Sequence, residues 1–167
     1  MIYKTAIQST LNDLDRLFRK EKKATKQVFY SKLALMELCG WIEITMDKIL
    51  SSVLKKQLTD TRHIKIVEGA IRFNSNFNYD KNFKPLLMQI IGFKSIEKIE
   101  KKVTQQKFVT MKAALEYLKT PRNSAAHTFI KGMTQTLDAP SVTLSKFYIL
   151  LEGLKDFVIA MKTLKYI

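Results

Sequence analysis

The chain has 167 residues, of which 46% are hydrophobic, and it contains only five glycines, three prolines and one cysteine. This size and composition predict one globular domain spanning residues 1–167, and they argue against disorder, a turn-rich β fold and an intramolecular disulfide. Lysine and arginine number 29 against 15 acidic residues, and this net charge of +14 favours a polyanionic partner, nucleic acid first and an acidic protein second.

The start of the chain predicts two amphipathic helices. Apolar residues recur every three or four positions over 2–20, and a longer apolar seam runs through 25–56. This seam predicts that the second helix is the most buried one, with Cys39 as a core thiol. Trp41 is interpreted as a core residue or as part of a self-association face. Charges interrupt this stretch and no apolar signal segment precedes it, so we expect a cytoplasmic protein without a membrane-spanning helix.

The segment 57–84 has the least regular pattern. A short helix is expected at 64–71, and the run 73–84 is rich in asparagine and aromatic residues, with Asn, Ser and Asp favouring turns. Aromatic rings among lysines can stack on RNA bases, which makes Tyr79 and Lys81 candidate RNA-binding residues. The alternative is that these aromatics anchor the loop to the core.

Helical periodicity continues through the rest of the chain. Pro85 is expected to begin a short helix that Gly92 ends, and Ser95 is expected to cap the next one. The remaining predictions are a helix carrying Phe108, Met111, Leu115 and Leu118, a loop over 132–141 and a last helix over 144–164. Because no segment alternates with the period of a strand, we predict an all-α fold, an antiparallel helical bundle of four to five main helices.

The stretch 120–128 combines scarce residue types. It holds one of two histidines and one of five arginines in a chain whose other cations are nearly all lysine. Pro121 suits the first turn of a helix that Thr120 would cap. The sequence leaves open whether Pro121 breaks or kinks the helix before it.

A helix through this stretch would bring three polar side chains together. Asn123 and His127 are neighbours four residues apart on one face, and the long side chain of Arg122 can reach the same point. Ala125 and Ala126 have little side chain to block that approach, or the approach of a second chain. We therefore expect a two-fold dimer with a small face at these alanines.

The order Arg122-Asn123-x-x-Ala126-His127, late in a small helical chain, resembles the R-x4-6-H motif of the HEPN superfamily of nucleotide-binding domains. The resemblance implies a helical domain and a metal-independent endoribonuclease that leaves 2′,3′-cyclic phosphate ends. It implies Arg122, Asn123 and His127 as catalytic residues and a homodimer with two motifs in one cleft. It also implies a toxin or antiviral defence role, with an antitoxin or a nucleotidyltransferase-like protein as partner.

The residue types suit that chemistry. Histidine can act as general base or acid near neutral pH, and the planar fork of arginine suits the oxygens of a phosphate in the transition state. Asn123 can orient the histidine or a phosphate oxygen, and Lys119 and Lys131 are expected to bind RNA on either side. No cofactor and no metal are expected, since metal-ligand and nucleotide-binding motifs are absent from the sequence.

Other interpretations stay open. The arginine and histidine can serve only as helix-end hydrogen-bonding groups, and the chain would then be a non-catalytic helical module that binds RNA, a nucleotide or a protein. A helical DNA-binding domain is a third hypothesis, which the lack of an arginine-rich recognition helix disfavours. The positive charge itself also fits a lysine-rich chain with solvated faces.

Overall fold

The computed structural model describes residues 2–74, 76–127 and 136–167, and every regular element in these ranges is helical. The elements are α1 (Thr5–Lys20), α2 (Ala24–Gln57), α3 (Thr61–Arg72), one π-helical turn (Tyr79–Phe83), α4 (Lys84–Ile91), α5 (Phe93–Lys102), α6 (Gln105–His127) and α7 (Pro140–Thr163). The predicted all-α class is confirmed.

The four long helices α1, α2, α6 and α7 form the bundle. The start of α1 lies beside the middle of α2, where Trp41 Nε1 donates to the Tyr3 carbonyl oxygen at 2.7 Å. The end of α1 lies beside the start of α2, so the pair is antiparallel. The ends of α2 and α7 meet through Gln57, which donates to the Lys165 carbonyl oxygen at 3.2 Å. Helix α6 is antiparallel to α7, so α1 and α6 run in one direction and α2 and α7 in the other.

The core lies between these four helices. Helices α2 and α7 contribute most of its buried side chains, as expected for long helices covered on several sides. The half-buried Trp41 ring packs edge to face on Phe147 with 5.0 Å between ring centroids, which agrees with its interpretation as a core residue. Cys39 is 1% exposed, and its prediction as a core thiol is confirmed.

The π-helical turn anchors the aromatic run to the bundle. Tyr79 and Phe83 are buried, and the Tyr79 ring meets Phe108 edge to face at 4.9 Å and Phe157 at 5.8 Å. Phe77 is buried as well. The interpretation as anchors is therefore confirmed for these three aromatics, whereas Phe73 at the start of the run is 86% exposed and is not an anchor.

Several predicted boundaries were wrong. Ser95 lies inside α5, which begins at Phe93 directly after Gly92 and has no side-chain cap. Gly92 does end α4, with a φ of 76° that favours glycine. The predicted loop over 132–141 extends too far, because Pro140 is already the first residue of α7.

The alternative in which Thr120 caps a new helix at Pro121 is also wrong. Helix α6 runs without interruption from Gln105 to His127, with Pro121 inside it. Pro121 has no N–H to donate to the carbonyl four residues earlier, so packing of α6 on its neighbours must offset the missing bond. Leu118 on one side of Pro121 and Ala125 on the other are both buried, and this burial is the source of that packing.

Candidate functional site

The motif residues occupy the last two turns of α6. Arg122 is half-buried, whereas Asn123 and His127 are exposed. Because α6 continues through Pro121, the three side chains belong to one helix end, as the sequence predicted. The structure brings Arg122 and Asn123 into direct contact, since Arg122 Nη1 donates to Asn123 Oδ1 at 3.1 Å. His127 lies one turn beyond Asn123 on the same helix.

A glutamate from α2 completes the environment of Arg122. Arg122 Nη2 donates to Glu43 Oε1 at 3.0 Å, across 79 positions of the sequence. The two side chains are 25% and 28% exposed, so water reaches the pair. Glu43 and Asn123 together fix the plane of the guanidinium, and the carboxylate offsets its positive charge. Sequence reasoning missed Glu43 as a member of the site, although it is one of the few charges in the apolar seam of α2.

The surface of α2 next to Arg122 is acidic. Burial raises the pKa of Asp47, and the charge of Glu43 raises it further. Burial, followed by the Glu43 charge, also raises the pKa of the Cys39 thiol to about 12, against a smaller opposite effect of Arg122. Glu43 contacts Arg122 directly, so an incoming phosphate would compete with this carboxylate for the guanidinium.

A second network holds α6 to α7 one turn before Pro121. Asp138 Oδ2 accepts a hydrogen bond from the Tyr117 hydroxyl at 2.9 Å and from Lys146 Nζ at 2.9 Å. The Lys146 ammonium also lies 4.2 Å from the centre of the Tyr117 ring. These contacts fix the position of α6 immediately before the motif.

Only one of the two alanines expected to form a small exposed face is at the surface. Ala126 is exposed, but Ala125 is 0% exposed and belongs to the core of its own chain. The prediction that Ala125 offers a contact to a second chain is wrong. A small side chain at this position instead lets α6 pack closely within the bundle.

The structure gives the candidate RNA-binding residues different environments. Tyr79 is 2% exposed and its hydroxyl donates to Glu100 Oε1 at 3.0 Å, so its ring has no free face for a base and this prediction is wrong. Burial and Glu100 raise the pKa of Tyr79.

The candidate lysines lie at the surface or partly buried. Lys81 is exposed and Lys119 is half-buried. Lys131 lies outside the described residues. His63 is exposed on α3.

Residues 2–74, 76–127 and 136–167 contain neither a cluster of side chains that could hold a metal ion nor a helix that could cross a membrane. These residues include no group of three or more His, Cys, Asp or Glu side chains arranged to hold a metal ion. None of the helices in the same ranges combines the length and the apolar character that a membrane crossing requires.

Comparisons with protein-family models, with curated proteins and with solved structures gave no match to this chain.

Proposed function

We propose that this protein is a metal-independent endoribonuclease of HEPN type. The observation that supports the proposal is the continuous end of α6, which carries Arg122, Asn123 and His127 in motif order on one accessible helix end. The guanidinium is held by Asn123 and Glu43, so it is oriented before a substrate arrives. Preorganised donors of this kind stabilise developing charge without a cost of reorganisation. A toxin or antiviral defence role in the cytoplasm, restrained by an antitoxin or nucleotidyltransferase-like partner, is part of the proposal.

In the proposed reaction, the ribose 2′-oxygen attacks the adjacent phosphorus and the bond from phosphorus to the 5′-oxygen breaks. One His127 takes the proton of the 2′-hydroxyl, and a second His127 from another copy gives a proton to the leaving 5′-oxygen. Arg122 stabilises the charge on the phosphate oxygens, and Asn123 orients the guanidinium. The products are a 2′,3′-cyclic phosphate and a 5′-hydroxyl.

The Arg122–Glu43 pair adds a condition to this mechanism. A phosphate that uses Arg122 Nη2 must share or displace Glu43, which now holds that nitrogen at 3.0 Å. The pair is partly exposed, so its strength is modest and a dianionic or polyanionic ligand can compete with it. Glu43 therefore tunes how strongly the ground state binds phosphate.

The experiment that tests the proposal is cleavage of labelled RNA by purified protein in excess EDTA. We expect cleavage to continue without metal and to leave cyclic phosphate ends. His127→Ala should lower the single-turnover rate by on the order of 10²-fold or more, the usual loss for a general acid or base. His63→Ala is the matched control, since His63 is exposed on a different helix, and it should cleave like wild type. Cleavage that requires Mg²⁺, or equal rates for His127→Ala and wild type, would refute the mechanism.

The second candidate function is a non-catalytic helical module that binds RNA or a protein. The observation that favours it is again the ion pair, because a carboxylate at 3.0 Å neutralises the one arginine of the motif. Retained RNA affinity without cleavage, in wild type and in His127→Ala alike, would support this module over the enzyme.

A further inference from the structure

A groove without acidic residues lies between the start of the chain and the second half of α2. Its volume is about 290 Å³, close to the lower limit for a small-molecule site. The groove is lined by Tyr3, Lys48, Ser51, Ser52 and Lys55. It therefore offers positive charge, hydroxyl groups and one aromatic ring, and it offers no carboxylate that would repel an anion.

The two lysines and Ser51 lie on one side of α2. Positions 48, 51 and 55 are three and four residues apart, which brings their side chains together on a helix. Neither lysine forms an ion pair within the described ranges. Ser52 Oγ donates to the Lys48 carbonyl oxygen at 2.8 Å, whereas the Ser51 hydroxyl makes no hydrogen bond in the same ranges. Two ammonium groups and one hydroxyl can therefore donate to one phosphate.

Tyr3 adds an aromatic ring to these donors. The residue is 71% exposed, and the Lys48 ammonium lies 4.7 Å from the centre of its ring. Trp41 Nε1 donates to the Tyr3 carbonyl oxygen at 2.7 Å, which holds the backbone of Tyr3 against α2. An exposed ring held beside lysines is the arrangement in which a protein stacks on an unpaired base and contacts its phosphate.

We propose that this groove, the Tyr3 groove, binds one nucleotide of single-stranded RNA. The phosphate contacts Lys48, Ser51 and Lys55, and the base lies against the Tyr3 ring. Stacking needs an unpaired base, so the groove selects single-stranded RNA over a duplex. A lipid surface is a poorer occupant, because no aliphatic residue lines the groove to enter the acyl region.

The Tyr3 groove is separate from the motif. Glu43 holds Arg122, and Lys48 lies about 140° around α2 from Glu43, at 100° per residue. The inference rests on the proposed function for its ligand, RNA, and it adds a second contact that narrows the substrate to single strands. A free nucleotide carries the same phosphate and base, so the test includes both sources.

Binding is measured with a fluorescent 2′-O-methyl RNA oligonucleotide, which lacks the attacking 2′-hydroxyl and so is not a substrate of the proposed reaction. Tyr3→Ala should raise its Kd by roughly tenfold, the scale of one lost base stack. Tyr3→Phe keeps the ring and should stay within about twofold of wild type. The Kd of a duplex of the same sequence should be equal for Tyr3→Ala and wild type.

The lysines are tested in the same assay. Lys48→Gln and Lys55→Gln should each raise the Kd by roughly three- to tenfold, since each removes a charged donor to phosphate. The control is Lys20→Gln at the far end of α1, an exposed lysine that should change the Kd by less than about twofold. Trp41 is the single tryptophan and bonds to the Tyr3 backbone, so unlabelled oligonucleotide should change its fluorescence in wild type.

Three results would overturn the proposal: equal Kd values of Tyr3→Ala and wild type for the single strand, an equal loss for duplex and single strand, or tighter binding of AMP than of the oligonucleotide. Cleavage of unmodified RNA is measured separately. Binding that depends on Tyr3 without any cleavage would support the groove and refute the enzyme. Cleavage that depends on His127, in a protein whose binding ignores Tyr3, would support the enzyme and refute the groove.

Discussion

At the residue scale, the ion pair of Arg122 with Glu43 is the feature that bears most directly on function. The motif residues could be predicted because their order along the chain carries the information. Glu43 could not, because a pattern along the chain does not show which carboxylate a fold brings to an arginine 79 positions away. The same limit explains Tyr79, whose lysine-rich neighbours suggested an exposed ring that packing instead buries.

Glu43→Gln tests whether this pair restrains Arg122. Glutamine keeps the shape of the side chain and removes its charge, so the arginine should attract phosphate more strongly. We expect a short RNA oligonucleotide to bind roughly two- to fivefold more tightly, the scale of a partly exposed ion pair. Fluorescence anisotropy at low salt measures the change. Glu37→Gln is the control, since Glu37 is exposed on the same helix, and equal affinities of both variants would show that Arg122 does not meet RNA.

Cys39 provides a second test at this scale. Burial raises the pKa of its thiol to about 12, so the thiol stays protonated and covered near pH 8. We expect an aromatic disulfide reagent to react on the order of 100-fold more slowly with folded protein than with urea-unfolded protein. Because the folded pKa is raised, the associated stability is present below the ordinary thiol pKa and is lost as pH rises toward 12. Fast reaction of the folded protein would place Cys39 outside the core.

At the element scale, the helical spacing of apolar residues predicted the long helices more accurately than capping residues and prolines predicted their ends. The apolar seams of α1, α2 and α7 predicted these helices closely, since burial of one face dominates their stability. Pro121, Ser95 and Thr120 suggested boundaries that the structure does not have. Tertiary packing overrides such preferences, which are worth about 1 kcal/mol for a cap. The π-helical turn had no recognisable signal in the sequence.

Helices α6 and α7 approach each other closely at Gly153. A methyl group there would come within 2.5 Å of Met111 Cβ, which is also in a helix and cannot simply rotate away. Gly153→Ala should therefore lower the free energy of unfolding by roughly 1–3 kcal/mol through overpacking. Gly69→Ala on α3 meets no atom within 4 Å and should raise it by about 0.5–1 kcal/mol. Urea denaturation of both variants measures the difference, and a stable Gly153→Ala would show that α6 and α7 are further apart.

At the scale of the whole molecule, composition predicted the fold class but not the partner. A chain with many apolar residues and few glycines and prolines has few alternatives to a helical bundle once strand periodicity is absent. The net charge of +14 indicates only that a binding partner would carry negative charge. Its distribution over helix ends, such as Lys55 and Lys56 on α2, also fits the preference of cations for helix C-termini.

The dependence of binding on salt separates these interpretations. If many lysines contact phosphates, log Kd for single-stranded RNA should rise linearly with log salt concentration, by about 0.7 per contact. Replacing both Lys81 and Lys119 with glutamine should weaken binding and reduce that slope by roughly one to two contacts, while the cleavage rate at saturating RNA is unchanged. His127→Ala should leave the slope and the affinity as they are and lower only the rate, because its proposed role is confined to the transition state. Filter binding and single-turnover cleavage of the same variants provide both measurements. A slope near zero would show that the positive charges are solvated and do not contact RNA. A lower cleavage rate of the lysine variants at saturating RNA would show that Lys81 and Lys119 take part in the reaction as well as in binding.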